Sequence, residues 1–354
     1  MVEGIGFFVF SFLLVALLIP VVIRFSFLLG LYDEADGDRK DHGRNISRLG
    51  GLAIFAGLMA SILLFTAIKT DLDMVFALAS FILMFMLGLN DDVCGTGPLL
   101  KISVQLVSAI ILVSAGWHQE PEWIGLLKIF LFVLLCNAFN LIDGLDGLAG
   151  TLGLFVNLFF GILLFLGEDH DYGGIALMLS GSLAGFLLFN YAPAKIFMGD
   201  AMAMLTGLIS GVMALRFIKL ADGGGISLLY ADSAMVVALA VLIVPVFDCL
   251  RVFLIRLLHR RSPFFGDRNH IHHRLKQLGY TDGGVVSRLL IFNIIMVGMT
   301  LLLQHLGNFT LIIVLFSVCI LSNGLLTFMI RKTADKNYRL RDVLLRDTLN
   351  INRN

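Results

Sequence analysis

Residues 123–166 read WIGLLKIFLFVLLCNAFNLIDGLDGLAGTLGLFVNLFFGILLFL. An apolar run leads into the polar stretch Asn137 to Asp146, and a second apolar run follows. Each flank approaches the roughly 20 residues that a helix needs to cross a bilayer core. The runs are continuous rather than alternating, which excludes barrel strands and leaves helices. The same pattern extends through the chain of 354 residues, where hydrophobic residues make up 58% and charged residues 15%. With a mean hydropathy of +0.92, this is not the composition of a soluble domain. Eleven spans are predicted, near 5–31, 48–68, 74–89, 99–117, 123–141, 147–166, 173–190, 200–217, 233–256, 286–306 and 309–330. The expected fold is an all-α polytopic membrane bundle forming a single domain over 1–354, with functional loops near 32–47, 90–101, 137–147, 190–200 and 257–285.

The net charge is zero, but its distribution is asymmetric. Of 26 basic residues, only Lys69, Lys128, Arg216 and Lys219 fall on or beside the even-numbered loops. The positive-inside rule then places the odd-numbered loops and the C-terminus in the cytoplasm and the N-terminus outside. Met1-Val2-Glu3 lacks the basic start of a cleaved signal, so the first span is expected to remain as a helix. Cys94, Cys136, Cys249 and Cys319 show no paired spacing and read mostly as small hydrophobes.

Four polar islands, Asn90-Asp91-Asp92, Asn137 to Asp146, Met198-Gly199-Asp200 and Asp267 to Arg274, all fall on the cytoplasmic side of this topology. Ionisable groups at membrane helices are costly and mark function. Adjacent Asp91 and Asp92 repel each other unless a cation compensates them, and Lys101, with Gln105 one turn later, is the expected partner. Asn137, Asn140, Asp143 and Asp146 recur every third residue and line one stripe. Asp200 opens the eighth span, where capping alone explains an acid, yet it shares the face of the others. Oxygen ligands of this kind suit a hard cation such as magnesium, held together with substrate phosphates, better than zinc.

Basic groups supply the complementary chemistry. Arg39, Lys40 and His42 in the first loop offer donors to phosphate, beside the glycine pair Gly50-Gly51. His270, His272 and His273 lie between Arg268 and Arg274. No cysteine or HExxH arrangement accompanies them, so anion binding is the better reading than zinc. Asp248, inside the ninth span and followed by Arg251 and Arg256, is a further site candidate.

These motifs resemble the polyprenyl-phosphate N-acetylhexosamine-1-phosphate transferases, which move a sugar phosphate from a UDP-sugar to a lipid phosphate. The resemblance covers nearly the whole chain. Its specific parts are Arg39-Lys40 with His42, Gly50-Gly51, Asp91-Asp92 with Lys101 and Gln105, NAFNLIDGLDGLAG at 137–150, FMGDA at 197–201, PVFD at 245–248 and SPFFGDRNHIHHRL at 262–275. The His-Ile-His-His segment resembles the bacterial branch that uses UDP-N-acetylglucosamine rather than the branch that uses the muramoyl-pentapeptide donor. One departure stands out: the family usually continues Ala-Gly-Ser after Gly-Asp, whereas this chain has Ala201-Met202-Ala203.

The resemblance implies magnesium, with manganese as a substitute, and commonly a homodimer of ten- or eleven-helix chains. It implies a bacterial inner-membrane enzyme acting at the cytoplasmic face on UDP-GlcNAc and undecaprenyl phosphate, with membrane lipid around it and no nucleic acid partner. The product would begin a surface polysaccharide such as O-antigen or enterobacterial common antigen; teichoic-acid or modified-sugar initiation is the alternative. Matched residue by residue, Asp91 is the acid that deprotonates the lipid phosphate and Asp92 its neighbour, both also candidate metal ligands. Asp200 matches the metal ligand, and Asn137, Asp143 and Asp146 the polar stripe around nucleotide and metal. His270, His272, His273, Arg268 and Arg274 match the loop that faces the donor. The rival class is a lipid-sugar transporter, but transporters carry midplane charge and often inverted repeats. Here the charge collects at one face.

Overall fold

The computed structural model describes residues 2–33, 46–65, 72–116, 121–226, 229, 233–260 and 269–334. They form two compact units, Met1–Ala234 and Met235–Asn354. The first carries α1 (Val2–Leu29), α2 (Gly50–Phe65), α3 (Leu72–Cys94), α4 (Pro98–Gly116), α5 (Glu122–Ile142), α6 (Leu148–Leu166), α7 (His170–Asn190) and α8 (Gly199–Asp222). In the second are α9 (Ala234–Val241), α10 (Ile243–Leu258), α11 (Ile271–Gln277), α12 (Asp282–Leu302) and α13 (Gly307–Ala334). The chain is a polytopic helical membrane protein.

Among the described residues each of the eleven apolar runs is largely helical, but not all form full spans. Among the described residues eight helices are long and apolar enough to cross a membrane, or nine if α9 and α10 count as one bent span. The helices α2 and α4 are shorter. Two further features were not expected. Tyr32–Asp33 and Ile46–Ser47 pair as a two-residue antiparallel ladder, β1 and β2, and α11 occupies part of the expected loop 257–285.

In the first unit α8 is the central helix, packing on α2, α3, α5, α6 and α7. It is also the most buried of the membrane-length helices. Lipid gives helices little hydrophobic drive to associate, so close backbone packing and interhelical hydrogen bonds do that work. Gly88 shows the first: a Cβ there would sit 2.2 Å from Ala201 Cα, so α3 meets α8 at backbone contact. The second is shown by the buried Asn157 of α6, whose Nδ2 donates to Ser210 Oγ of α8 at 3.0 Å.

The second unit explains why the ninth run is not one straight helix. Pro245 has no N–H, and its ring opposes the carbonyl four residues earlier, at Val241. The pair α9 and α10 accordingly bends by 77° between Val241 and Ile243. Buried Asn293 of α12 satisfies the break, its Nδ2 donating to Val241 O at 2.9 Å and its Oδ1 accepting from Val244 N at 3.3 Å.

Candidate active site

In the first unit, α2, α4, α6 and α8 begin where the polar islands lie, and hydrogen bonds stitch those ends together. The N-terminus of α8 is the anchor. Its first backbone N–H groups lack partners inside the helix, and the helix dipole makes them attractive to anions. Asp92, from the last turn of α3, takes both roles: Oδ1 accepts from Asp200 N at 2.8 Å and Oδ2 from Ala201 N at 3.1 Å. Gly199 has a left-handed φ of +79°, and a Cβ there would lie 2.6 Å from Asp92 Oδ2. Both conditions require glycine.

Lys101, in the first turn of α4, binds Asp200 Oδ2 at 2.8 Å and also pairs with Asp91 Oδ2. The other Asp91 oxygen accepts from Thr96 N and Thr96 Oγ1, each at 2.7 Å. The expected lysine therefore meets Asp91, but its second carboxylate is Asp200 of another island rather than Asp92. Gln105 is engaged one turn on: Asn137 Nδ2 donates to its Oε1 at 2.8 Å, and its own Nε2 donates to Met204 Sδ at 3.3 Å.

The loop 191–199 joins the remaining pieces. Asp146 Oδ2 accepts from Ala194 N at 3.0 Å. Buried Asn190 accepts from Gly147 N at 3.0 Å and donates to Ile196 O at 2.8 Å, tying the glycine-rich turn after α5 to the loop 191–199. On the other side, Phe197 N donates to Ser47 O, while Gly50 N and Gly51 N donate to Phe197 O and Met198 O. Met202, in the segment that departs from the family pattern, lies against Gly51. Arg39, Lys40, His42 and Arg268 lie outside the described residues.

Asp143 stands just beyond α5, and its carboxyl is held well above the usual range. Burial is the main cause, followed by repulsion from Asp200, Asp92 and Asp146. The side-chain Nδ2 of Asn140 is buried without a hydrogen-bond partner. Among the described residues no three His, Cys, Asp or Glu side chains stand close enough to hold a metal ion unaided. The site is instead an all-oxygen set with surplus negative charge. That fits magnesium, which binds through one or two carboxylates and takes the rest of its shell from water and substrate phosphate.

The second unit holds its own cluster. Asp248 is buried, with Oδ2 facing His270 Nδ1 at 2.9 Å and Oδ1 accepting from Ile271 N at 3.0 Å and Arg251 Nη2 at 2.9 Å. It orients His270 and caps the start of α11. Arg274 is buried, and its guanidinium donates to Asn323 Oδ1 and Thr327 Oγ1 of α13. His272 is buried with its Nε2 unpartnered. Its ring stands 5.8 Å from that of His270 and 4.2 Å from that of His273. Burial, and then His273, push its pKa down to about 3.

Two working residues escaped the sequence reading. Thr96 and Asn190 are single polar residues beside the islands, with no spacing pattern to mark them; Asn190's place at the end of the seventh run was the available signal.

A sequence model of glycosyl transferase family 4 matches residues 74–218, which contain every member of the acid cluster in the first unit. The chain is 31% identical over 285 residues to a probable undecaprenyl-phosphate N-acetylglucosaminyl 1-phosphate transferase of Bacillus subtilis (strain 168), covering 77% of each protein. It is 33% identical over 281 residues to a decaprenyl-phosphate N-acetylglucosaminephosphotransferase of Mycolicibacterium smegmatis, covering 69% of this chain and 68% of the relative. With the undecaprenyl-phosphate alpha-N-acetylglucosaminyl 1-phosphate transferase of Thermotoga maritima it shares 28% over 327 residues, 89% of this chain and 97% of that one. Together with the acid cluster at one end of the α3 to α8 bundle, these matches establish that the chain belongs to glycosyl transferase family 4, among the polyprenyl-phosphate N-acetylhexosamine-1-phosphate transferases.

Proposed function

We propose that the protein transfers N-acetylglucosamine 1-phosphate from UDP-GlcNAc to undecaprenyl phosphate, releasing UMP, at the cytoplasmic face of a bacterial inner membrane. The product, undecaprenyl-diphospho-GlcNAc, would be the first lipid-linked intermediate of a cell-surface polysaccharide such as O-antigen or enterobacterial common antigen. The observation that carries this reading is the meeting of acids from three polar islands at one end of the first unit: Asp91 and Asp200 share Lys101, Asp92 holds the start of α8, and Asp143 is close enough to be repelled by Asp200, Asp92 and Asp146. Phosphoryl transfer needs mainly positioning and charge neutralisation, and two anionic substrates meet in this reaction.

A lipid phosphate oxygen attacks the β-phosphorus of the donor. The bond from that phosphorus to the bridging oxygen breaks, and the oxygen leaves with UMP. Magnesium, held through Asp200 with Asp143 and Asp146 nearby, would supply Lewis-acid neutralisation of the diphosphate. Lys101 contributes a positive charge to the phosphates. The second pKa of a simple phosphate monoester is about 6, so the nucleophile is largely deprotonated at neutral pH without a strong base. Asp91, with donors on both oxygens, holds Lys101 in place. Both Asp92 oxygens are taken by α8 backbone, which favours direct attack over an aspartyl-phosphate intermediate. His270, His272 and His273 are proposed to contact the donor, and the protein to work as a homodimer.

The test is to incubate the purified protein with undecaprenyl phosphate, magnesium and a panel of UDP-sugars, following UMP and the lipid product. UDP-GlcNAc should be used and the muramoyl-pentapeptide donor refused. Turnover of the pentapeptide donor would overturn the branch assignment, and no UMP with any donor would overturn the reaction.

A further inference from the structure

We propose that Lys101 is an exchangeable counter-ion, occupying Asp200 until a divalent cation displaces it toward Asp91 and substrate phosphate; this rests on the reaction proposed above. Lys101 Nζ is bonded to Asp200 Oδ2 at 2.8 Å and paired with Asp91 Oδ2 at the same time. A single ammonium thus bridges the acid expected to bind metal and the acid at the end of α3. An ammonium and a divalent cation on one carboxylate repel each other, so full engagement of Asp200 by metal disfavours the Lys101 contact.

The geometry provides somewhere for the lysine to go. Asp91 is fixed independently of Lys101, because Thr96 N and Oγ1 both donate to its other oxygen. Asp200 is likewise held by its backbone, through Asp92 at the α8 N-terminus, rather than by the lysine. Breaking the Lys101 to Asp200 contact therefore dismantles neither end. The lysine side chain has a flexible four-carbon stem and three rotatable donors, and it is partly exposed, at 27%. It can swing while its helix stays in place. The exchange prevents an unneutralised carboxylate cluster in the empty enzyme and delivers a positive charge to phosphate when metal arrives.

The test measures Mn²⁺ binding by the quenching of its free-ion EPR signal, without substrate, in the wild type and in Lys101→Met, Lys101→Arg and Asp200→Asn. The proposal expects Lys101→Met to bind Mn²⁺ at least tenfold more tightly than the wild type and Lys101→Arg to bind with wild-type affinity. A second readout is amine-reagent labelling of Lys101 followed by mass spectrometry, which Mn²⁺ should increase in the wild type and leave unchanged in Asp200→Asn. Equal or weaker Mn²⁺ binding by folded Lys101→Met, judged by its elution as a single species in detergent, overturns the exchange while leaving the metal reading standing. Mn²⁺ binding that survives Asp200→Asn overturns the assignment of Asp200 itself, and with it this inference.

Discussion

Asp92 and Asp200 sit within one hydrogen bond of each other yet do different things, and their amides should separate those roles. In Asp200→Asn the shape is retained and the charge a hard cation needs is lost; turnover should fall nearly to zero with expression and thermal stability unchanged. Asp92→Asn keeps one acceptor for the α8 backbone but turns an amide N–H₂ toward the other donor. Loss of a helix cap costs on the order of 1 kcal/mol, so this variant should melt at lower temperature and keep measurable turnover. Complete inactivity at full stability would instead point to Asp92 as a covalent nucleophile. His272 carries a third test. With a folded pKa of about 3 against an ordinary value near 6.5, it is neutral in the fold. Between these values the unfolded chain binds a proton that the folded chain does not. Its contribution to stability is therefore complete above about pH 6.5 and declines as pH falls toward 3, by at most about 1.4 kcal/mol per unit. Thermal melts at pH 7.5 and pH 5 should show a smaller difference in His272→Leu than in the wild type.

At the level of helices, apolar length and polar interruption were legible because each carries a cost that the chain would not bear idly. The bend between α9 and α10 was not, although Pro245 was visible. Proline tells where a helix is weakened, and only the distant Asn293 decides whether the freed groups are satisfied and the break persists. The same holds for Asp92: an Asp-Asp pair at a helix end announces charge, whereas its capping of α8 joins residues 108 positions apart and depends on the two helices meeting at Gly88. That contact gives the element-scale prediction. A Cβ at Gly88 would come within 2.2 Å of Ala201 Cα, and backbone cannot yield as a side chain can. Gly88→Val should force α3 from α8, costing about 1–3 kcal/mol as overpacking does. It should also move Asp92 off the α8 N-terminus, so activity should fall further than the stability loss alone explains. A variant with wild-type activity and melting temperature would show that the two helices have room to separate.

Across the whole chain, a common site requires the polar islands to share one side of the membrane. Reading sidedness from the sequence needed only the bias of Lys and Arg, and the structure supports its consequence within the first unit, where the ends of α3, α5 and α7 meet the starts of α4, α6 and α8 through bonded side chains. Which side of the membrane that end faces is decided by charge and by where UDP-sugars are made, and it can be measured. Cys94 is an exposed native thiol at the acid-bearing end. Asp222 is exposed at the far end of α8, and Thr333 is exposed near the end of α13. With the buried cysteines left in place, a membrane-impermeant thiol reagent applied to intact cells should label Asp222→Cys and leave Cys94 and Thr333→Cys untouched. Permeabilised cells should label all three. Labelling of Cys94 from outside would put the carboxylate cluster on the face without UDP-sugars, where the proposed reaction has no donor. Matching labels at Cys94 and position 222 would break the up-and-down order of the bundle itself.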